Sequence, residues 1–256
     1  MDETRIINKV ELRGTVKGRP QFSHESRGER FYQVTMEIER LSGASDNVNV
    51  IAREPLLDLT ELNSQSKLTV LGELRSFNNK SGVGSRLVIT VFAREMSFGE
   101  GPDENKVTLT GTLCKPPNLR TTPMGREISD LMVAVNRRYG RSDYLPCIAW
   151  GLRAKEAAEW SIGTPVTLEG RIQSRNYIKN VDGVPEEKTA FEVSIIEISP
   201  IDALPGATAR KAEEFGETGA LMAALDPEPE DREDSEQLDD TETLRSLYSV
   251  SDPEDE

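Results

Sequence analysis

The chain has 256 residues, a formal net charge of −14, two cysteines and one histidine. That length suits two domains of about 100 residues each plus extra segments. One histidine excludes a multi-histidine metal site, and two cysteines form no disulfide framework. The expectation is a protein that is not an enzyme and needs no metal or other cofactor. The start, MDETRIINKVELRG, is charged, and nowhere do 18 apolar residues run together. No signal peptide or membrane span is expected, and a soluble, cytoplasmic, nucleoid-associated protein follows. The charge is uneven. Residues 202–256 hold 4 Lys+Arg against 18 Asp+Glu, so the acidic excess lies there and the rest is near neutral.

NKVELRG at Asn8–Gly14 recurs as NKVTLTG at Asn105–Gly111, and DNVNVIA at Asp46–Ala52 as DYLPCIA at Asp143–Ala149. LTVLGELRS at Leu68–Ser76 recurs as VTLEGRIQS at Val166–Ser174. Three blocks in one order at nearly one offset describe a duplicated domain. The first copy spans residues 1–99, a linker 100–104, the second copy 105–201 and an acidic tail 202–256.

In the first copy, Val10, Leu12, Gly14 and Val16 alternate as a strand. Val34, Met36 and Ile38, then Val48 and Val50, and then Leu68, Val70, Gly72 and Leu74 do the same. PLLDLTELN, Pro55–Asn63, predicts a short helix, and SGVGSR, Ser81–Arg86, a hairpin turn before the closing strand LVITVFA. His24 falls in FSHESRGER, which reads as an exposed loop. The second copy repeats the pattern, with its helix over about Leu152–Trp160. Five strands with a helix between the third and fourth is the order of an OB fold. The predicted fold is therefore all-β: two tandem five-stranded Greek-key barrels, each with one short helix, and a disordered acidic tail. Gly14, Gly72, Gly111 and Gly170 sit inside strands, where a barrel needs sharp coiling or close approach.

The stretch NRRYGRSDYLPCIAWG, Asn136–Gly151, interleaves arginines with aromatics. Arginine neutralises phosphate and an aromatic face stacks on any base, so the pair holds a single strand without reading its sequence. Strand alternation puts Tyr144, Pro146, Ile148 and Trp150 on one side and Leu145, Cys147 and Ala149 on the core side. Further on, Arg171, Arg175 and Tyr177 share an outward face, and Lys179 lies in the last hairpin. The candidate nucleic-acid contacts are thus Tyr139, Tyr144, Trp150 and Tyr177, with Arg120, Arg137, Arg138, Arg141, Arg171, Arg175 and Lys179. The first copy has Ser42, Asn47, Arg53 and Asn79 at the four aromatic positions. It keeps the core pattern without those rings, which predicts weak binding there or none.

In NKVTLTGTL, LRTTPMGREI, LMVAVNRRY, YLPCIAWG, GTPVTLEGRIQSRNY and TAFEV, the second copy resembles the bacterial single-stranded DNA-binding protein family over its whole length. The resemblance implies sequence-tolerant stacking on Tyr139, Tyr144, Trp150 and Tyr177, with roles in DNA replication, recombination and repair. It also implies four OB folds per assembly, hence a homodimer of this two-copy chain. The family's acidic tail docks replication and repair proteins through an apolar tip. Here the chain ends SDPEDE, and Leu244, Leu247 and Tyr248, spaced to share a helix face, are the candidate substitute. A primosomal-type OB-fold adaptor, whose main contacts are with replication proteins, is the alternative.

Overall fold

The computed structural model describes residues 7–57, 62–78, 87–137, 141–181 and 184–202, with backbone alone over 175–181 and 184–188. Within them run eleven strands: β1 (Asn8–Ser26), β2 (Glu29–Glu39), β3 (Ser45–Arg53), β4 (Lys67–Asn78), β5 (Leu87–Phe98), β6 (Glu104–Leu113), β7 (Asn118–Thr121), β8 (Glu127–Asn136), β9 (Ser142–Trp150), β10 (Pro165–Val181) and β11 (Val184–Pro200). One helix, α1 (Leu152–Ala158), joins β9 to β10.

Strand alternation decides what is buried. In β1, Val10, Leu12 and Val16 are sealed in while Lys9 faces solvent; in β10, Val166, Leu168 and Ile172 are sealed in while Glu169 is exposed. β1 pairs with β2 and β4, β2 with β3, β4 with β5, and β3 with β5 in parallel, which closes the first barrel. β6, β8, β9, β11 and β10 close the second in the same order, again with one parallel pairing, β9 with β11. These are two tandem OB folds.

The in-strand glycines occur where two strands cross at close range. A Cβ on Gly14 would sit 2.4 Å from the Glu37 carbonyl oxygen, and one on Gly111 would sit 2.6 Å from that of Ala134. Gly72 and Gly170 each stand at a register shift, against β5 and β11, with a carbonyl oxygen 2.5 Å from where a Cβ would be. The repeat also keeps a side-chain clamp. Asn8 donates to the Leu74 carbonyl (2.9 Å) and accepts from the Leu74 amide (2.8 Å). Asn105 does the same with Ile172, at 2.8 and 2.9 Å.

The two barrels are fused edge to edge. β1 pairs antiparallel with β6, from Asn8 opposite Leu109 to Arg13 opposite Glu104, so one sheet runs through both. The linker is fastened and does not swing free. Asp103 accepts from the Glu39 amide (2.7 Å) and pairs with Lys67 (2.7 Å), and Arg13 donates to the Pro102 carbonyl (3.2 Å).

The copies differ in two places. The helix expected over Pro55–Asn63 is a three-residue 3-10 turn, Glu54–Leu56. Pro55 suits its start, and Leu57 is already extended (φ −113°, ψ 120°). Residues 58–61 and the turn Ser81–Arg86 lie outside the described residues. In the second copy the expected helix forms as α1, with Ala154 and Ala157 buried. Pro116 and Pro117, which lack the amide donor a ladder needs, separate β6 from β7. In the first copy β1 runs unbroken through that region to Ser26, so His24 is a strand residue and not a loop one. Gly111→Ala should cost about 1–3 kcal/mol in urea unfolding, because a methyl there overlaps both Val133 and the Ala134 carbonyl.

Candidate nucleic-acid interface

Directly opposed residues of an antiparallel pair share a face. On the outer face of the second barrel, β8 and β9 therefore form four rungs: Ile128–Trp150, Asp130–Ile148, Met132–Pro146 and Ala134–Tyr144. Trp150 and Tyr144 are half-buried and lie about 20 Å apart along one strand. Leu145, Cys147 and Ala149 occupy the core side as expected. Ile148 was expected to face out. It does lie on the outer face, yet it is only 4% exposed, tucked where β9 runs parallel to β11. Between the two rings lie Pro146, Ile148 and Met132, with the Asp130 carboxylate beside them.

The matching rungs of the first barrel are Phe31–Arg53, Gln33–Ile51, Thr35–Asn49 and Glu37–Asn47. Thr35 donates to Asn49 (3.0 Å), and Glu37 pairs with Lys17 (2.8 Å). One copy offers Trp150, Pro146, Met132 and Tyr144 beside Asp130, and the other offers amides, a hydroxyl and charges beside Phe31 and Ile51.

The arginines divide into two groups. Arg141 is exposed in the β8–β9 turn, where its carbonyl accepts from the Arg137 amide (2.6 Å). Arg120, on β7 beside the Ile128–Trp150 rung, is held by Asp130 (2.7 Å). Arg137 is committed inside the chain. Its guanidinium grips the Asp143 carboxylate and donates to the Ser76 carbonyl of the first copy (3.1 Å). Asp143 is fully buried and also accepts from Arg75 (3.1 Å) and from the Ser76 amide (2.6 Å), while the Tyr144 amide donates to the Ser76 hydroxyl (2.8 Å). This seam joins the tip of β4 to the start of β9. Its counterpart pairs Asp46, also fully buried, with Arg40. Arg171 lies close enough to both to feel their charges. Burial first, then Arg40, pull its ionisation below the usual arginine range, against Asp46. The Arg171 guanidinium donates to the Gln173 side chain (3.2 Å). Tyr139 and Arg138 lie outside the described residues, as do the side chains of Arg175, Tyr177 and Lys179 and the tail residues Leu244, Leu247 and Tyr248.

Burial disfavours the thiolate at both cysteines. Burial raises Cys114 to about 11 and pushes Cys147 higher still. Among the described residues no group of His, Cys, Asp and Glu is placed to hold a metal ion, and no helix is long and apolar enough to cross a membrane.

A family model described as the single-strand binding protein family matches residues 104–200. The single-stranded DNA-binding protein of Clostridium tetani is 35% identical over 103 residues, which is 36% of this chain and 70% of that protein. The chain belongs to the single-strand binding protein family. Single-stranded DNA-binding protein 2 of Listeria innocua is 38% identical over 80 residues, 28% of this chain and 50% of that one. The chain thus spans only about half the length of some of the curated family members it matches. The crystal structure of the wild-type single-stranded DNA binding protein from Thermus aquaticus superposes with a TM-score of 0.64 at 22% identity, over 79% of this chain and 96% of that one. That likeness is one of fold. Within the family frame, what sequence reasoning missed is the seam: Asp143 sits beside Tyr144 and reads as a surface acid. Its recurrence as Asp46, each six residues after an arginine, was the available signal. Asp143→Ala should cost about 3–5 kcal/mol in urea unfolding, since it strands two partly buried guanidinium groups.

Proposed function

We propose that this family member binds single-stranded DNA without sequence preference, mainly through the second OB fold, in replication, recombination and repair. The observation that carries the reading is the contrast between the two outer faces. Both barrels keep an apolar core, yet among the described residues of these matching rungs the second presents two half-buried rings, Tyr144 and Trp150, where the first has Asn47 and Arg53. Core demands alone give no reason for that difference, whereas base stacking does. The names of the Clostridium and Listeria relatives point the same way.

In this mechanism bases lie on Tyr144 and Trp150, and Tyr139 and Tyr177 add to the stack. Arg141 draws in phosphates, joined by Arg138, Arg175 and Lys179 and by Arg120 once it leaves Asp130. Arg137 acts indirectly, by holding the second barrel against the first, and Arg171 joins the phosphate contacts. Two chains associate as a homodimer, giving four barrels, and the acidic tail reaches replication and repair proteins through Leu244, Leu247 and Tyr248.

The test is a titration of the full chain with oligo-dT, followed by tryptophan fluorescence at several salt concentrations. Trp150→Phe should remove most of the quenching, leaving only Trp160, which packs against the core. Tyr144→Ala should weaken binding roughly 5- to 150-fold, the equivalent of about 1–3 kcal/mol for one stacked base. Affinity should fall steeply with salt as counterions are released. A folded chain with no saturable, salt-dependent binding would overturn the reading.

A further inference from the structure

The first barrel carries rings of its own, at positions with no counterpart among the four aromatics of the second. β1 and β2 continue past the barrel as an arm whose residues 21–30 are all exposed. On one face of this arm Phe22, 55% exposed, meets Tyr32 edge-on at 5.9 Å, and the Arg30 guanidinium lies 5.5 Å from the Phe22 ring and 5.4 Å from the Tyr32 ring. Glu54 fixes that guanidinium at 2.9 Å and accepts from the Tyr32 hydroxyl at 3.1 Å. On the other face the exposed His24 ring stacks on buried Phe31, centroids 4.7 Å apart and planes 4° from parallel. Phe31 in turn packs against Phe92, which Arg94 covers at 5.1 Å.

Both clusters open outward. Phe22 meets Tyr32 at its edge and lies under the Arg30 guanidinium, while His24 has one face on Phe31 and its Nδ1 on the Ser23 hydroxyl (3.0 Å), and both rings remain exposed. Such a ring is already oriented, so a base adding to it has little side-chain freedom left to freeze. Charge fits the same ligand. Residues 17–30 hold Lys17, Arg19, Arg27 and Arg30 against Glu25 and Glu29. Arg19 and Arg27 are exposed and have no hydrogen bond or ion pair among the described residues. Arg27 also stands at φ 55° in the two-residue turn with Gly28 at φ 77°, where asparagine or glycine is the low-strain choice. An arginine held there at some strain places a positive charge at the tip of the arm.

We propose that this arm is a second stacking site, distinct from the face of the second barrel, and that it takes single-stranded nucleic acid on Phe22 and His24 with Arg19 and Arg27 on its phosphates. A long strand would engage both barrels, while a short one would be satisfied by the second alone.

The test compares two oligo-dT probes, of about 10 and about 40 nucleotides, on the full chain, since one OB fold covers roughly 4–16 nucleotides. The double variant Phe22→Ala/His24→Ala should leave the short probe unchanged and weaken the long one by about tenfold or more. Arg19→Glu/Arg27→Glu, whose side chains pack on nothing, should do the same and lower the salt dependence on the long probe only. Unchanged affinity of both variants for both probes, with unchanged unfolding curves, would overturn the proposal. So would a changed oligomeric state by light scattering with unchanged affinity, which would make the arm a contact between chains. Tyr144→Ala reports on the second barrel separately. If it has no effect while the arm variants weaken the long probe, the second-barrel reading fails and the arm stands.

Discussion

The pairing of β1 with β6 is the constraint on which the rest of the molecule depends. Each strand is the hub of its own barrel, already bonded to two neighbours over part of its length, and the stretch left open on each is satisfied by the other. An unpaired edge there would leave a row of amides and carbonyls ready to template aggregation. Sharing it also sets the geometry around it. With β1 and β6 in register, the tip of β4 arrives at the start of β9, and Ser76 meets Asp143 and Tyr144. The strand that carries Tyr144 and Trp150 is therefore buttressed from the other copy at its very first residues. For the proposed stacking role, rigidity is supplied across the seam as well as from within the barrel.

Much of this was legible in the chain. Alternating apolar residues placed the strands, and three blocks recurring in one order at nearly one offset revealed the duplication. The four in-strand glycines marked crossings too tight for a Cβ, because only backbone collision explains glycine where β propensity disfavours it. The face of β9 followed from period two. Its one departure is Ile148, buried although it lies on the outer face, since alternation tells which face a residue takes and not what the rest of the chain lays over that face.

What was not legible depended on contacts between distant residues. A charge in a loop looks the same whether it meets water or a carboxylate from the other copy, so Arg137 read as a phosphate contact although it grips Asp143 and Ser76. The rings of the first barrel were missed for a related reason. Comparing aligned positions asks only whether Trp150 has a matching ring, and Arg53 answers no. Across the β2–β3 rung, however, Phe31 stands opposite Arg53, and it joins His24 and Phe92, which are remote in sequence. Leucines at helical spacing in Pro55–Asn63 also misled at the start of that segment, where Leu57 is extended straight after a single tight turn.

The fastened linker has a consequence for how the protein responds to concentration. A seam between two separate chains dissociates by mass action when the protein is diluted, and it permits any two chains to pair. Here Pro102 and Asp103 tie the partners together in cis, so the second edge is always present at a high effective concentration. The barrel pair holds together at any dilution that leaves the chain folded. Because its members cannot exchange, each barrel is certain of its neighbour. Asp143 always finds Arg75 and Ser76, never a second copy of its own barrel. A pairing that cannot be scrambled allows the two halves to drift apart in surface chemistry, one toward rings on β9 and the other toward a charged aromatic arm, without producing mismatched assemblies.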